Sequence, residues 1–191
     1  AAAQEETALH LERSGEFTRM VTSITRPSRG AWPVPKAVDG VLRDYQVQGF
    51  NWLMALSAYH LGGILADDMG LGKTLEVIAF LLAKRDEPGP PALVVAPTSL
   101  MYNWIEEIAR FAPELRAMAI AGTKAERRKK LADAEGLDVV VTTYHLLLRD
   151  IEDYAAKPFR CVFLDEAQHI KNPTTQSAKA VKRLKTEGYF A

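Results

Sequence analysis

An α/β fold built on a mainly parallel sheet with helices on both faces is what this 191-residue sequence predicts. Three observations lead there. Short runs such as Ala92-Leu93-Val94-Val95-Ala96 and Val139-Val140-Val141-Thr142 alternate with longer stretches whose apolar residues recur at helical spacing. Arg160-Cys161-Val162-Phe163-Leu164 reads as a buried strand, which suits a sheet covered on both faces. Hydrophobic residues make up 48% of the chain and its 24 basic residues balance 24 acidic ones, so a single substantial core is expected.

Taken in order, residues 4–24 carry Leu9, Leu11, Phe17, Met20, Val21 and Ile24 and suit a helix. The stretch Arg26–Pro35 is rich in proline and turn residues and reads as a linker. Residues 1–40 are then an N-terminal extension and proline-rich linker, and 41–191 the folded unit. Leu42, Tyr45, Gly49, Trp52, Leu53 and Leu56 predict a helix from Leu42 to Tyr59. A strand Gly63–Ala66, a turn and a helix from Lys73 to about Lys84 follow, and Glu87-Pro88-Gly89-Pro90-Pro91 is an exposed turn. The strand Ala92–Ala96 leads through Pro97-Thr98-Ser99 into a helix ending near Phe111, with Thr98 or Ser99 as its N-cap. Strands at Ala117–Ile120, Val139–Thr142 and Arg160–Leu164 are separated by helical segments near 124–134, 144–153 and 174–186. A parallel sheet gathers the carboxyl ends of its strands on one rim. The turn before Lys73, Pro97-Thr98-Ser99, Thr142-Thr143-Tyr144 and Asp165-Glu166 are therefore expected along one edge.

No apolar stretch reaches membrane-spanning length, and Ala1–Ala3 run into Gln4-Glu5-Glu6, so neither a membrane partner nor a signal peptide is expected. The single cysteine, Cys161, falls in a predicted strand and reads as a small core residue, which points to an intracellular setting without disulfides. Neutral net charge argues against a polyanion binder that works by bulk electrostatics, though it leaves room for a local groove. The basic runs Lys124–Lys130 and Lys179, Lys182, Arg183 and Lys185 read first as solvated helix faces.

Chemistry concentrates in Asp67-Asp68-Met69-Gly70-Leu71-Gly72-Lys73-Thr74 and in the distant Asp165-Glu166-Ala167-Gln168. Gly70 and Gly72 lack a Cβ, so the backbone can curl until several N–H groups face one anion at the positive end of the next helix. Lys73 then reaches the β- and γ-phosphates, and the Thr74 hydroxyl is placed for Mg²⁺. Asp67 and Asp68 are expected to turn away from phosphate or to contact the metal's water shell. The general phosphate-loop pattern wants glycine where Asp67 stands, and Gly72-Lys73-Thr74 alone reads better as an ordinary strand-to-helix turn with a solvated lysine. The flanking apolar run, the amphipathic Leu75–Leu82 and the acidic pair at a strand end reverse that reading. Asp165 is suited to hold Mg²⁺ through water while Glu166 polarises an attacking water.

Leu42-Arg43-Asp44-Tyr45-Gln46, the loop Asp67–Thr74, Leu93–Leu100 with Asn103-Trp104, Thr142-Thr143-Tyr144 and Asp165–Asn172 occur in an order that resembles the Swi/Snf-type DNA translocases, a branch of the superfamily-two helicases. The resemblance runs from about residue 40 to the end, and in that family the two aspartates of the loop are usual. It implies a P-loop NTPase, RecA-like first lobe, with ATP and Mg²⁺ as its cofactors and double-stranded DNA as its partner. Arg43 and Gln46 would recognise adenine, and Asp68, Met69, Gly70, Leu71, Gly72, Lys73 and Thr74 would hold the phosphates. Thr74 and Asp165 would bind the metal, and Lys73, Asp165 and Glu166 would form the catalytic set. Gln168 and His169 would couple nucleotide state to a second lobe. Thr98, Ser99, Thr142, Thr143 and Tyr144 would touch the DNA backbone through hydroxyls and N–H groups, which gives position without sequence readout. Trp104 is expected in the core.

In that family a Thr-Gly-Thr-Pro motif follows a strand like Tyr189-Phe190-Ala191, and a second lobe supplies arginines across the cleft. Neither lies in this sequence, so the chain alone is expected to be largely inactive and its last strand poorly ordered. Nucleosomes, a DNA-bound polymerase, a repair complex or a transport partner would each suit such a motor as its DNA-bound protein target, in the cytoplasm beside the nucleoid of a bacterium or in a eukaryotic nucleus. Other readings are a strand-separating helicase lobe and a nucleotide-gated regulatory binding module; retention of both Lys73 and Glu166 weighs against the module.

Overall fold

The computed structural model describes residues 14–25, 31–66 and 70–191. In chain order the elements are α1 (Gly15–Thr25), α2 (Asp44–Ala58), α3 (Lys73–Ala83), β1 (Ala92–Ala96), α4 (Met101–Phe111), β2 (Ala117–Ala119), α5 (Lys124–Ala132), β3 (Val139–Thr143), α6 (Tyr144–Arg149), α7 (Ile151–Ala155), β4 (Pro158–Phe159), β5 (Val162–Leu164), a 3₁₀ turn (Ala167–Ile170), α8 (Gln176–Val181), β6 (Lys185–Thr186) and β7 (Tyr189–Phe190).

Five strands form one sheet in the order β2-β3-β1-β5-β7, and every pairing is parallel. Side chains alternate across it with the strand period of two. Val94, Ala96, Val139, Val141 and Phe163 face a layer made by α2, α3 and α4, whereas Leu93, Val95, Val140, Val162 and Leu164 face one made by α5 to α8. This double cover explains why the strand runs are apolar without interruption.

Gly63–Leu65 continues the sheet beyond β7. The Gly63 N–H donates to Tyr189 O (2.9 Å), the Ala191 N–H to Gly63 O (3.0 Å) and the Leu65 N–H to Ala191 O (2.7 Å). Glycine is required there, since a Cβ on Gly63 would lie 2.5 Å from Leu56 and 2.6 Å from Trp52. β7 is therefore an interior strand, paired with β5 on one side and Gly63–Leu65 on the other. Phe190 stacks on Phe163 (5.1 Å between centroids), and both rings pack against Phe80.

Several expected boundaries move. Residues 4–13 of the first predicted helix and 26–30 of the predicted linker lie outside the described residues. The remainder of that linker is part of the fold: Val38 is fully buried, Trp32 and Val34 pack on the core, and the Trp32 N–H donates to Asn51 Oδ1 (3.3 Å). Pro33 and Pro35 fix the backbone φ there, and Val34 between them and Trp32 before them anchor the segment. The last predicted helix stops at Val181 because Lys185–Thr186 pairs with Pro158–Phe159.

The predicted helix 144–153 breaks at Asp150, whose carboxylate is drawn inward by Arg127. Arg127 Nε and Nη2 donate to Asp150 at 2.5 and 3.0 Å, and Nη1 donates to Gly122 O at 2.6 Å. Both side chains are about 5% exposed, so Arg127 belongs to the interior and not to the solvated basic face expected of its neighbours. Arg127→Met is predicted to cost about 3–5 kcal/mol in urea unfolding, because Asp150 is left charged and buried, and a second change, Asp150→Leu, should recover most of it. A loss below about 1 kcal/mol for the single variant would mean that water relaxes the pair as at a surface.

Candidate active site

The carboxyl ends of β1, β3 and β5 lie on one edge, as the register Ala96↔Thr143 and Val95↔Leu164 requires. There a cleft of about 740 Å³ opens between the start of α3 and the end of β5. Lys73 and Thr74 line one side and Asp165, Glu166 and Gln168 the other, over a floor that includes Phe163 and Phe190. Asp67, Asp68 and Met69 lie outside the described residues.

The turn before α3 takes its shape from two glycines and a glutamine. Gly70 (φ 85°) and Gly72 (φ 77°) are left-handed, and α3 begins directly after Gly72, which sets the positive end of an 11-residue helix at the cleft. Gln46 is buried, and its amide spans the gap between α2 and this turn. Its Nε2 donates to Leu71 O (3.0 Å) and Gly72 O (3.3 Å), while its Oε1 accepts from the Arg43 N–H (2.9 Å). The Tyr45 hydroxyl donates to the same Leu71 carbonyl at 2.9 Å. Arg43 is exposed at the start of α2. Reading adenine with Gln46 requires its amide to change partners, since here it clamps the turn.

Asp165 is held on three sides. Its N–H donates to Val95 O (2.9 Å), its carbonyl accepts from the Tyr144 hydroxyl (2.8 Å), and its Oδ2 accepts from Trp104 Nε1 (2.9 Å). Glu166 has a left-handed backbone (φ 51°, ψ 51°) that costs a residue with a side chain about 1–3 kcal/mol. That turn lets adjacent acids both line the cleft, and Gln168 Nε2 donates to Glu166 Oε2. His169 is exposed and stacks on Tyr144 at 5.3 Å, so the two coupling candidates touch the acidic pair directly or through one ring. Burial, with Asp165 and Glu166 nearby, pushes the Tyr144 phenol up, which keeps it protonated as a donor. Burial also raises the Glu107 carboxyl at the cleft wall; Arg110 opposes this shift and Asp165 adds to it.

The expected DNA-facing hydroxyls divide. Thr98 and Ser99 are exposed on the rim. Thr142, Thr143 and Tyr144 are buried, and their hydroxyls are engaged within the protein, so of the expected hydroxyl and N–H contacts the hydroxyls already have internal partners. Thr142 Oγ1 accepts from the Tyr154 hydroxyl (2.9 Å), and Thr143 Oγ1 accepts from the Leu146 N–H (3.2 Å) at the cap of α6. Their strand is covered on both faces, so a hydroxyl there must find an internal partner.

Trp104, Tyr45 and Glu107 were not foreseen as site residues. Trp104 is in the core as expected, at 5% exposure, yet it also grips an acid of the cleft. A buried indole needs an acceptor for its N–H, and that need was the one signal available in the sequence.

The donor set fits magnesium. Thr74 and Asp165 offer oxygen, and among the described residues no three His, Cys, Asp or Glu side chains converge into an all-protein cage. A cation bound by one carboxylate, a hydroxyl, phosphates and water is magnesium's habit. The architecture is that of a P-loop, RecA-like lobe.

Comparison with known proteins gives the family. The SNF2-related domain matches residues 45–189, and the chain belongs to that family. It is 42% identical over 145 residues to Helicase SWR1 of Eremothecium gossypii, 73% of this chain and 10% of that protein. It is 36% identical over 178 residues to the putative ATP-dependent helicase/translocase YwqA of Bacillus subtilis, 89% of this chain and 19% of that protein. The Sulfolobus solfataricus SWI2/SNF2 ATPase core, solved in complex with dsDNA, superposes with a TM-score of 0.71 at 41% identity, covering 78% of this chain and 31% of that one. The chain thus spans 10% to 19% of the length of these curated relatives. No helix among the described residues is long and apolar enough to cross a membrane.

Gly72→Ala places a Cβ 2.5 Å from Gln46 Nε2 at a φ of 77° and is expected to cost about 1–3 kcal/mol of stability and to weaken triphosphate binding. Gln46→Ala should lower affinity for ATP and GTP in like proportion by calorimetry, since what it loses is the shape of the turn. A drop confined to ATP would assign Gln46 to the base.

Proposed function

We propose that this chain is the ATP- and Mg²⁺-binding first lobe of an ATP-dependent motor that translocates on double-stranded DNA, completed by a second RecA-like lobe. The observation that carries the reading is one edge holding three things: the Lys73–Thr74 helix start, the Asp165-Glu166 pair across the cleft, and the exposed Thr98-Ser99 turn. A nucleotide and a duplex backbone then bind side by side. The complex between a SWI2/SNF2 core and dsDNA, 41% identical to this chain, supports the partner.

Lys73 and the first amides of α3 receive the β- and γ-phosphates, with Asp68, Met69, Gly70, Leu71 and Gly72 forming the cradle. Thr74 and Asp165 hold magnesium, which when bound neutralises charge on the phosphate oxygens. Glu166 orients the attacking water and takes its proton as the bond to the γ-phosphorus forms and the β–γ bridge breaks. Gln168 holds the Glu166 carboxylate, and with His169 it passes the state of the site to the second lobe. Arginines of that lobe supply the remaining charge, so this lobe binds but hydrolyses poorly by itself. The motor works where duplex DNA is kept, in a nucleoid or a nucleus, and the DNA-bound partner it moves is set by domains outside residues 1–191.

The purified 191-residue chain is expected to bind Mg·ATP weakly without duplex-stimulated turnover. The longer two-lobe protein should show such turnover and lose about 10²-fold or more of kcat in Glu166→Gln, with nucleotide still bound. Robust stimulated hydrolysis by the 191-residue chain, abolished by the same change, would overturn the assignment of an incomplete site.

A further inference from the structure

Helix α4 bridges two parts of the rim. Its amino end follows the exposed Thr98-Ser99 turn, and one turn later Trp104 is buried with its Nε1–H on Asp165 Oδ2 at 2.9 Å. Met101 and Ile108, both buried, seat the same helix on the sheet. Between Ser99 and Trp104 there is only the start of a regular helix, so a displacement of the turn carries the indole with it.

Asp165 has little other freedom. Val95 O and the Tyr144 hydroxyl fix its main chain at 2.9 and 2.8 Å, which leaves rotation of the carboxylate as its soft motion. The indole N–H is a donor only and occupies one carboxylate oxygen, Oδ2, of an acid that lines the cleft. Trp104 and Glu107 both line that cleft from α4, so the helix is a wall of the nucleotide site as well as the carrier of the turn.

We propose that Trp104 is the positioning residue through which the Thr98-Ser99 turn governs the Asp165 carboxylate, so that a duplex backbone bound at the turn tightens the hold on Mg²⁺ in the nucleotide complex. The inference rests on the assignment of Asp165 as the metal-holding acid. It makes metal affinity and duplex affinity reciprocal, because a coupling of two binding equilibria acts equally in both directions. Partners that orient a metal's ligand are worth about 10–100-fold in metal affinity.

The test measures Mn²⁺ binding by paramagnetic resonance in the two-lobe protein with a non-hydrolysable ATP analogue, with and without duplex. Four proteins are compared: the parent, Trp104→Phe, a semisynthetic protein with benzothienylalanine at position 104, and Asp165→Asn. Benzothiophene keeps the shape of indole and lacks the N–H, so it separates the hydrogen bond from packing if Trp104→Phe folds poorly. In the parent, duplex should tighten Mn²⁺ binding. In the benzothiophene protein, Mn²⁺ should bind about tenfold more weakly, and the duplex effect should fall below about twofold. Unchanged Mn²⁺ affinity and an undiminished duplex effect in that protein, alongside lost binding in Asp165→Asn, would overturn the role of Trp104 alone. Parent-like Mn²⁺ binding in Asp165→Asn would remove the metal assignment and this inference together.

Discussion

The parallel pairing of β5 with β1 is the constraint on which the site depends. It brings the end of β5 beside Val95, whose carbonyl receives the Asp165 N–H, and so fixes where the chain leaves the sheet. From that point a left-handed Glu166 turns the chain so that both acids reach the cleft. On the other wall, Gly72 takes the same left-handed region without the penalty of a side chain and starts α3 toward the cleft. The two walls meet because each is anchored to one two-sided core, in which alternate strand residues serve opposite helix layers.

That arrangement places strain and precision together. The left-handed backbone of Glu166 is an unfavourable local choice, sustained by the paired strand before it and the 3₁₀ turn after it. The buried Arg127–Asp150 pair is a comparable case away from the cleft, where a broken helix is the cost of satisfying a guanidinium. In both places tertiary contacts overrule what the local sequence prefers, and the packed sheet supplies the free energy to hold them.

Much of this was legible in the sequence. Unbroken apolar runs identified β1 and β3 as interior strands, glycines before Lys73 marked the turn, and ordered motifs identified the lobe. What escaped notice has a common physical cause: a polar side chain's partner is chosen by residues far away in the chain. Tyr144 turned inward to Asp165, Thr142 to Tyr154 and Trp104 to Asp165, none of which a periodicity can express. The Trp32–Pro35 segment was misjudged for a related reason. Its prolines look like those of a spacer, and only the contact with Asn51 and the core reveals a strap.

The segment that enters the turn before α3 bears on the order of folding. Among the described residues, Gly63–Leu65 hydrogen-bonds within the sheet only to Tyr189–Ala191, and β7 in turn needs β5. The segment leading into the turn therefore docks only after the ribosome has delivered almost the whole of this chain, although it is made early. Until then α2 and α3 can pair with each other, but the turn between them has an untethered approach. Nascent chains should consequently complete the approach to this turn late and abruptly, as the closing of a long-range contact rather than the growth of a local one.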